Sequence, residues 1–384
     1  MEGDPPVQLS DHQNEFATAV REFCGSTCRT RSQRLALTDS GRLANSPEIL
    51  RRMGELGWLG VSLPAEYGGG GAGMVDECVF LEETSRGAAP ITAYSTGLTA
   101  AQTYLRHGTP EQKRTIVEVI CRGGLEAIAL SEPGAGSDLG AVRTRADRQG
   151  DAFVLNGQKT WTSAAHVAEH ILLLARTDSS GNKHQGLTLF MVPTGTPGLD
   201  IREIETMEAR TVNDVFLTDV VVPADSVVGQ VGMAWRQLMR GLSVERLIIA
   251  AMALGGAERA LGDLLVYVKQ REQFDRPIGT FQAVRHRIAD LATEIAVCRS
   301  FVYDVASGID GGHEDDLARE ASMAKLKCTE TAKHAALEAM QLMGGYGYAC
   351  EYGMEEQVRK ALAPPIYGGT NEIQREIIGK SFGL

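Results

Sequence analysis

The chain has 384 residues, of which 43% are hydrophobic and 23% are charged, and its formal net charge is −11. A chain of this length is expected to form two or three domains, and its composition excludes a disordered or fibrous protein. Its acidic character gives no general attraction to nucleic acid or to an anionic membrane, so we expect neither as a partner.

The cysteines and the N-terminal segment indicate the compartment. The seven cysteines form an odd, scattered set rather than a disulfide framework, which favours a reducing environment. Cys24 and Cys28 lie close together, but no second Cys/His pair nearby completes a metal site, so no metal is expected. Residues 1–15 lack the apolar run of a secretory signal, and no stretch approaches the roughly 20 apolar residues that cross a bilayer. We therefore expect a cytoplasmic protein.

Residues 1–124 are predicted to form an N-terminal helical domain. Ser and Thr residues that can cap helices precede stretches in which apolar residues recur with helical spacing, and two of these caps are followed by proline. Helices are predicted to start after Ser10, Ser46 and Thr109, and further helices are predicted at 75–85 and 98–107.

Residues 125–231 are predicted to form a middle β-domain. Residues 151–161 hold Asn156-Gly157 between two β-rich runs, which predicts a hairpin with its tight turn at these two residues. Other β-rich runs, separated by Gly, Pro, Asp and Ser, lie at 171–175, 187–192 and 215–222. We expect a small antiparallel barrel or sandwich.

Residues 232–384 are predicted to form a C-terminal four-helix bundle domain. Long apolar-rich segments with helical spacing occupy 238–271, 281–308 and 314–343, and a shorter one occupies 371–380. With a helical block on each side of a β-rich block, the predicted fold class is α+β.

Three segments could bind an anion or a planar ring. Residues 130–138 combine two close glycines, a proline and hydroxyl residues, which can present N–H and O–H groups, although a plain connecting loop has the same features. Trp161 precedes two hydroxyl residues and could cover a planar ring, but a lone tryptophan is more often part of a core. Residues 271–279 carry two arginines between long helices, which suits either a pyrophosphate or a solvated helix connection.

Two further segments place glycines at helix ends. Residues 341–347 carry a glutamine followed by glycines, which is ordinary chemistry for the end of a helix. Residues 365–373 place two glycines before Thr370, which can cap the last helix. Neither segment indicates a function by itself.

Glu245 is the candidate general base. Residues 247–254 contain no polar side chain, so this helix is predicted to be buried on all sides, and Glu245 shares a face with Leu242 and Ile249. Partial desolvation disfavours the charged form of a carboxyl group and raises its pKa towards neutral pH, where a general base works. The alternative is a structural ion pair between Glu245 and an arginine of the bundle.

Taken together and in order, five motifs resemble those of the acyl-CoA dehydrogenase family, over residues 10–384. They read Ser-Glu-Pro-Gly-Ala-Gly-Ser-Asp, Asn-Gly-Gln-Lys-x-Trp, Arg-x-Gln-Phe-x-Arg-Pro-Ile-Gly-x-Phe-Gln, Met-Gly-Gly-Tyr-Gly and Ile-Tyr-Gly-Gly-Thr-Asn-Glu-Ile. The resemblance implies helical, β and helical domains, bound FAD, and a homotetramer or dimer in which a neighbouring subunit completes the site. It also implies an acyl-CoA substrate, a place in β-oxidation, and an electron-transferring flavoprotein as acceptor.

The resemblance assigns cofactor contacts residue by residue. Around the flavin ring and substrate it places Leu130, Ser131, Gly136 and Ser137, with Trp161 and Ser163 on the flavin. At the adenosine-pyrophosphate part of a partner's FAD it places Arg271, Phe274, Gln282, Gln341 and Gly345. Thr370 and Glu372 are expected at the flavin of their own subunit.

The implied reaction is α,β-dehydrogenation of an acyl-CoA thioester, in which a carboxylate removes the α-proton. In the largest branch of the family this carboxylate follows the Ile-Tyr of the last motif, and here that position is Gly368. Relatives that resemble isovaleryl-CoA and long-chain acyl-CoA dehydrogenases carry it within Glu-Arg-Leu, which matches Glu245. Gly368 is then expected to donate its N–H to the thioester oxygen. Expected substrate contacts are Arg246, Ser137, Tyr367 and Tyr94.

Other functions stay open at this point. The chain could be a partner subunit of a hetero-oligomeric acyl-CoA dehydrogenase, although that predicts eroded FAD motifs or loss of both base positions. It could also act on a carrier-protein thioester, for which the chemistry is unchanged. Relatives that oxidise nitroalkanes carry Asp at the position of Gly368, which counts against that reaction, and a flavin-dependent hydroxylase would need a different C-terminal segment. The acyl group cannot be read from the sequence.

Overall fold

The structure is a computed structural model that describes residues 8–384, except for the side chains at positions 240 and 315. Residues 1–7 of the predicted N-terminal domain lie outside the described residues. The chain divides into two compact units, which we call the helical unit and the β unit. In the described chain, the helical unit comprises residues 8–36, 73–89 and 243–384, and the β unit comprises 37–72 and 90–242.

Several helices start directly after a Ser or Thr residue whose side chain caps them. In chain order the helices are α1 (Asp11–Thr27), α2 (Arg31–Leu37), α3 (Pro47–Glu55), α4 (Met74–Arg86), α5 (Ala93–His107), α6 (Pro110–Cys121), α7 (Ala234–Gln270), α8 (Gln282–Asp310), α9 (Ala318–Met343), α10 (Gly345–Tyr348), α11 (Met354–Leu362) and α12 (Asn371–Ser381). The predicted caps are confirmed, because the hydroxyl groups of Ser10, Ser46 and Thr109 each accept a hydrogen bond from the backbone N–H three residues later.

The β unit is built on one mixed sheet. Its strands are β1 (Glu126–Ala129), β2 (Arg145–Gln149), β3 (Ala152–Ser163), β4 (His170–Arg176), β5 (Leu187–Pro193), β6 (Leu199–Glu203), β7 (Val212–Pro223) and β8 (Val227–Val228). The order is β6-β7-β3-β2-β4-β5-β8, with β1 parallel to β4. Neighbours are otherwise antiparallel, except that β2 meets β4 in parallel at one residue pair. Alternating residues such as Phe153, Leu155 and Phe190 form its core.

The predicted hairpin turn at Asn156-Gly157 is wrong. Both residues lie inside the continuous strand β3, whose pairing with β7 shifts register between Leu155 and Gly157. Gly157 has φ +153°, and a Cβ there would lie 2.6 Å from the Thr144 hydroxyl oxygen and 2.8 Å from Thr144 Cα. Glycine is therefore needed for a close approach of two backbones at a bulge rather than for a turn.

The helical unit packs around α9. Helices α8, α11 and α12 all contact α9, and α4 packs against α1 and α8. The buried face of α9 is rich in alanine, which allows close approach of its neighbours. Two short strands, β9 (Glu272–Gln273) and β10 (Arg276–Pro277), form a hairpin between α7 and α8. The predicted helices at 238–271, 281–308, 314–343 and 371–380 are confirmed as α7, α8, α9 and α12, and Gly344, with φ +61°, ends α9.

Within residues 8–384, no helix has the length and apolar character that a membrane span requires. The same described residues contain no group of three or more His, Cys, Asp or Glu side chains able to hold a metal ion.

Candidate active site

Glu245 lies in the most buried part of α7. The five residues that follow Arg246 are at most 6% exposed, whereas Glu245 is partly buried. Burial raises the pKa of Glu245, and the positive charges of Arg246 and Lys325 oppose that rise. Among the side chains that the structure describes, Glu245 forms no ion pair or hydrogen bond. The alternative of a structural ion pair thus finds no partner among them, and the carboxylate is available to a ligand.

Gly368 faces Glu245 within the helical unit. A Cβ at position 368 would lie 3.6 Å from Glu245 Oε1 and would overlap the Cδ1 atom of Ile249, one turn further along α7. Gly368 and Gly369 also have φ values of +63° and +76°, which disfavour any residue with a Cβ. A side chain at 368 is therefore excluded unless Ile249 shifts, and Glu245 is the carboxylate that reaches this position.

The turn that carries Gly368 is held by hydrogen bonds to its carbonyl groups. Gln374 Nε2 donates to the carbonyl oxygens of Gly368 at 3.1 Å and of Gly369 at 2.9 Å. The Asn371 N–H donates to the Pro365 carbonyl at 2.9 Å and closes the turn. In the part of the chain that the structure describes, the Gly368 N–H donates to no acceptor, so it is free to bind an oxygen atom of a ligand.

The other predicted residues around this turn differ in exposure. Arg246 is 7% exposed, and burial lowers its pKa although Glu245 opposes this. Tyr367 is exposed. The Thr370 hydroxyl caps α12 by accepting a hydrogen bond from the Ile373 N–H at 3.3 Å. Glu372 follows in the first turn of α12, where a backbone N–H and the Thr370 hydroxyl lower its pKa.

Two other predicted residues, Arg271 and Gly345, line a depression of about 490 Å³ in the helical unit, at the ends of α7 and α9. The guanidinium group of Arg271 lies over the ring of Tyr346 at 5.4 Å, and no described carboxylate pairs with it. A Cβ at Gly345 would meet nothing within 4 Å. An unpaired arginine beside open glycine backbone fits a phosphate or pyrophosphate group, as the ADP part of FAD requires.

Three other residues that were predicted to contact the adenosine-pyrophosphate part of FAD do not line this depression. Phe274 is 87% exposed at the tip of the β9–β10 hairpin, with its ring 6.0 Å from that of Phe281. Gln282 is the exposed first residue of α8, and Gln341 is exposed near the end of α9. The Phe274 ring is thus accessible from solvent, and its contact with the FAD of a partner subunit stays a prediction.

In the β unit, the loop at 130–138 is fixed to β3 by a buried ion pair. Lys159 is fully buried, and its Nζ donates to Glu132 Oε1 at 2.8 Å and to the Leu130 carbonyl at 3.0 Å. Glu132 also accepts hydrogen bonds from the N–H groups of Arg143 and Thr144. Sequence reasoning gave Glu132 and Lys159 no role, although a lysine at an inward position of a strand is a signal that could have indicated one.

This anchoring leaves the predicted flavin residues accessible. Gly136 and Ser137 are exposed, and Leu130 and Ser131 are partly buried, with the Ser131 carbonyl accepting a hydrogen bond from the Thr160 N–H. Trp161 is 60% exposed, so the alternative of a core tryptophan is wrong. It has φ +57° at an irregularity of β3, and Ser163 beyond it is partly buried. An exposed indole held in a strained backbone conformation fits contact with a planar ring such as the flavin.

Tyr94 behaves differently from the other predicted residues. It is 2% exposed, and its hydroxyl oxygen accepts a hydrogen bond from the Gly60 N–H at 2.7 Å within the β unit. Its hydroxyl group therefore has a structural partner, and contact with an acyl group stays a prediction.

The sequence matches known proteins along nearly its whole length. Three family models match it: acyl-CoA dehydrogenase N-terminal domain at residues 10–124, middle domain at 127–220 and C-terminal domain at 232–383. It is 37% identical to a 3-(aryl)acrylate reductase of Clostridium sporogenes over 87% of this chain and 89% of the relative. It is 34% identical to a mitochondrial isovaleryl-CoA dehydrogenase of Solanum tuberosum over 97% of this chain and 90% of the relative.

A solved structure shows the same fold. The acyl-CoA dehydrogenase of Geobacillus kaustophilus superposes with a TM-score of 0.92 at 33% identity, covering 99% of this chain and 100% of the other. The chain therefore belongs to the acyl-CoA dehydrogenase family of FAD-dependent oxidoreductases.

Proposed function

We propose that the protein converts an acyl-CoA thioester to the trans-2-enoyl-CoA, with Glu245 as the base that removes the α-proton. When bound, FAD supplies the acceptor for the β-hydride. The proposal depends on one observation above all: the Glu245 carboxylate faces Gly368 in the helical unit.

Glu245 suits the role of a base for two reasons. Its pKa is raised by burial, so it binds the transferred proton more readily than an exposed carboxylate does. It also lacks a hydrogen-bond donor among the described side chains, so no bond has to break before it accepts a proton.

Gly368 suits the role of a donor to the thioester oxygen. Removal of the α-proton develops negative charge on that oxygen, and a fixed backbone N–H stabilises such charge without reorganisation. The Gly368 carbonyl is held by Gln374, which fixes the orientation of the peptide groups in this turn. Arg246, Ser137, Tyr367 and Tyr94 are proposed to contact the substrate, Arg246 at its CoA part.

We assign FAD binding to the residues that the family motifs indicate. For the flavin these are Leu130, Ser131, Gly136, Ser137, Trp161 and Ser163 in the β unit and Thr370 and Glu372 in the helical unit. For the adenosine-pyrophosphate part of a partner subunit's FAD these are Arg271, Phe274, Gln282, Gln341 and Gly345. The exposure of Phe274 supports a homotetramer or dimer in which another subunit covers it.

We propose three domains at 1–124, 125–231 and 232–384, a cytoplasmic location, a role in β-oxidation, and an electron-transferring flavoprotein as acceptor. The relative named a 3-(aryl)acrylate reductase favours one further candidate, a thioester with an aryl group on its β-carbon, reduced or oxidised at the same bond.

The experiment is an anaerobic reaction of the purified protein with a panel of saturated thioesters. Straight, branched and 3-aryl acyl-CoAs are mixed with the protein, the visible flavin band is recorded, and the products are identified by mass. Loss of the band with formation of an enoyl-CoA supports the proposal and ranks the acyl groups. If FAD is bound but no thioester bleaches it, the alternatives of a partner subunit or a carrier-protein substrate gain support.

A further inference from the structure

Lys325 is a fully buried lysine on α9 whose partners are neutral. Its Nζ donates to the Gly369 carbonyl at 2.9 Å and to Asn371 Oδ1 at 3.0 Å. Within the described side chains, no carboxylate lies close enough to form an ion pair with it. A buried ammonium group without such a partner costs free energy, so a compensating reason for this lysine is expected.

The contacts of Lys325 lie on the turn that presents Gly368. Lys325 donates to the Gly369 carbonyl from α9, and Gln374 donates to the same carbonyl and to that of Gly368 from α12. Thr329, one turn further along α9, exchanges hydrogen bonds with the Asn371 side chain and completes the anchorage. Two residues with left-handed φ values are thus fixed from two helices, which determines where the Gly368 N–H points.

The charge of Lys325 also acts on the base. The charged groups that influence Lys325 are Glu245 and Arg246 on α7 and Glu372 on α12. Burial raises the pKa of Glu245, and Lys325, together with Arg246, holds it down. Burial lowers the pKa of Lys325 to about 8, against the opposing effect of Glu245. Lys325 therefore keeps Glu245 in the form that can accept a proton.

We propose that Lys325 is a positioning residue of the dehydrogenation: it fixes the Gly368–Gly369 turn and places a positive charge beside Glu245. The inference rests on the proposed function, since it assigns a role in proton removal by Glu245. Neither Lys325 nor Gln374 is assigned a contact with substrate or cofactor.

The test separates the effect of the Lys325 charge on Glu245 from the effect of its hydrogen bonds to the turn. Lys325→Met removes both, Gln374→Met weakens only the hold on the turn, and Lys325→Arg keeps the charge. Lys327→Met is the matched control, because Lys327 is an exposed lysine on the same helix that pairs with Glu294 at 3.2 Å. The readout is kcat/KM for an acyl-CoA as a function of pH, with thermal unfolding recorded for each variant.

We expect the acidic limb of the profile to move to higher pH by about one unit in Lys325→Met, because the pKa of Glu245 rises when the cation is removed. This corresponds to a roughly tenfold loss of kcat/KM below the limb. Gln374→Met lowers kcat without moving the limb, and Lys327→Met leaves the profile unchanged. Lys325→Arg keeps the acidic limb of the wild type, because arginine stays charged.

An unmoved acidic limb in a folded Lys325→Met variant would overturn the proposal and leave Lys325 a purely structural residue. If that variant does not fold, Lys325→Gln decides, because it removes the charge and keeps a hydrogen-bond donor, and an unmoved acidic limb in it overturns the proposal. These outcomes are distinguishable from failure of the proposed function, in which Glu245→Gln would keep full activity.

Discussion

The carboxylate of Glu245 faces Gly368 in the helical unit, and a Cβ atom at position 368 would lie 3.6 Å from Glu245 Oε1. The same Cβ atom would overlap Ile249 Cδ1, so the packing of α7 against this turn leaves room only for glycine at 368. The family alternative, a glutamate directly after Ile-Tyr, is thus incompatible with this packing unless Ile249 moves.

Gly368→Ala is expected to lower both stability and activity. The left-handed φ disfavours a Cβ by roughly 1–2 kcal/mol, and the overlap with Ile249 adds strain. Urea unfolding and the rate of flavin bleaching by an acyl-CoA measure the two effects. Adding Ile249→Ala supplies room and should restore part of the activity. If the second substitution brings no recovery, Ile249 is not the obstacle.

Trp161→Gly is expected to weaken FAD binding without destabilising the apoprotein. The indole is 60% exposed, so its removal loses little buried area, and glycine accepts the φ of +57°. The measurements are FAD retention on gel filtration and unfolding of the apoprotein. A loss of apoprotein stability above about 2 kcal/mol would show that the indole belongs to the core after all.

Lys159→Met is expected to destabilise the protein by about 3 kcal/mol, because it leaves the buried carboxylate of Glu132 without its cation. The double variant Lys159→Met/Glu132→Leu should regain part of this loss, since no unpaired charge remains. Urea unfolding of the two variants and the wild type checks the coupling. Equal stability of the single and double variants would contradict an energetic link between the two residues.

Glu356→Gln is expected to reduce stability at neutral pH but not in acid. Burial raises the pKa of Glu356, but Lys360 and Arg34 lower it more, to about 2 from 4.5. A carboxyl group with a depressed folded-state pKa stabilises the protein above its unfolded-state pKa, and this contribution disappears as pH falls towards the folded-state value. The difference from wild type should be about 1–3 kcal/mol at about pH 7 and shrink between about pH 5 and pH 2. Chemical unfolding across this range provides the measurement, and a difference that does not change with pH contradicts the pairing.

Local signals in the sequence were sufficient for the long elements. The hydroxyl caps at Ser10, Ser46 and Thr109 and the apolar spacing of α7, α8 and α9 act within one or two helical turns, so they can be read without the fold. The helices α2, α10 and α11 were missed because each is short and depends on packing rather than on its own pattern.

Contacts between residues that lie far apart in the sequence could not be predicted from local patterns. Gly157 lies in a bulge because Thr144 approaches it, and an Asn-Gly pair contains no information about that neighbour. Glu245 could be identified from its apolar surroundings, whereas Lys325 could not, because its contacts with Gly369 and Asn371 span more than 40 residues of sequence. Site residues whose role depends on such contacts can be identified only from the structure.

The role of Glu245 as the base is best tested by a single-turnover comparison of wild type, Glu245→Gln and the surface control Glu376→Gln. Each protein is loaded with FAD and mixed anaerobically with the acyl-CoA that reacts fastest with wild type. If Glu245 is the base, Glu245→Gln bleaches the flavin at least about 100-fold more slowly than wild type. Glu376→Gln, whose carboxylate pairs only with exposed Lys380 among the described side chains, bleaches it at the wild-type rate. Equal rates in wild type and Glu245→Gln would contradict the assignment of Glu245 as the base.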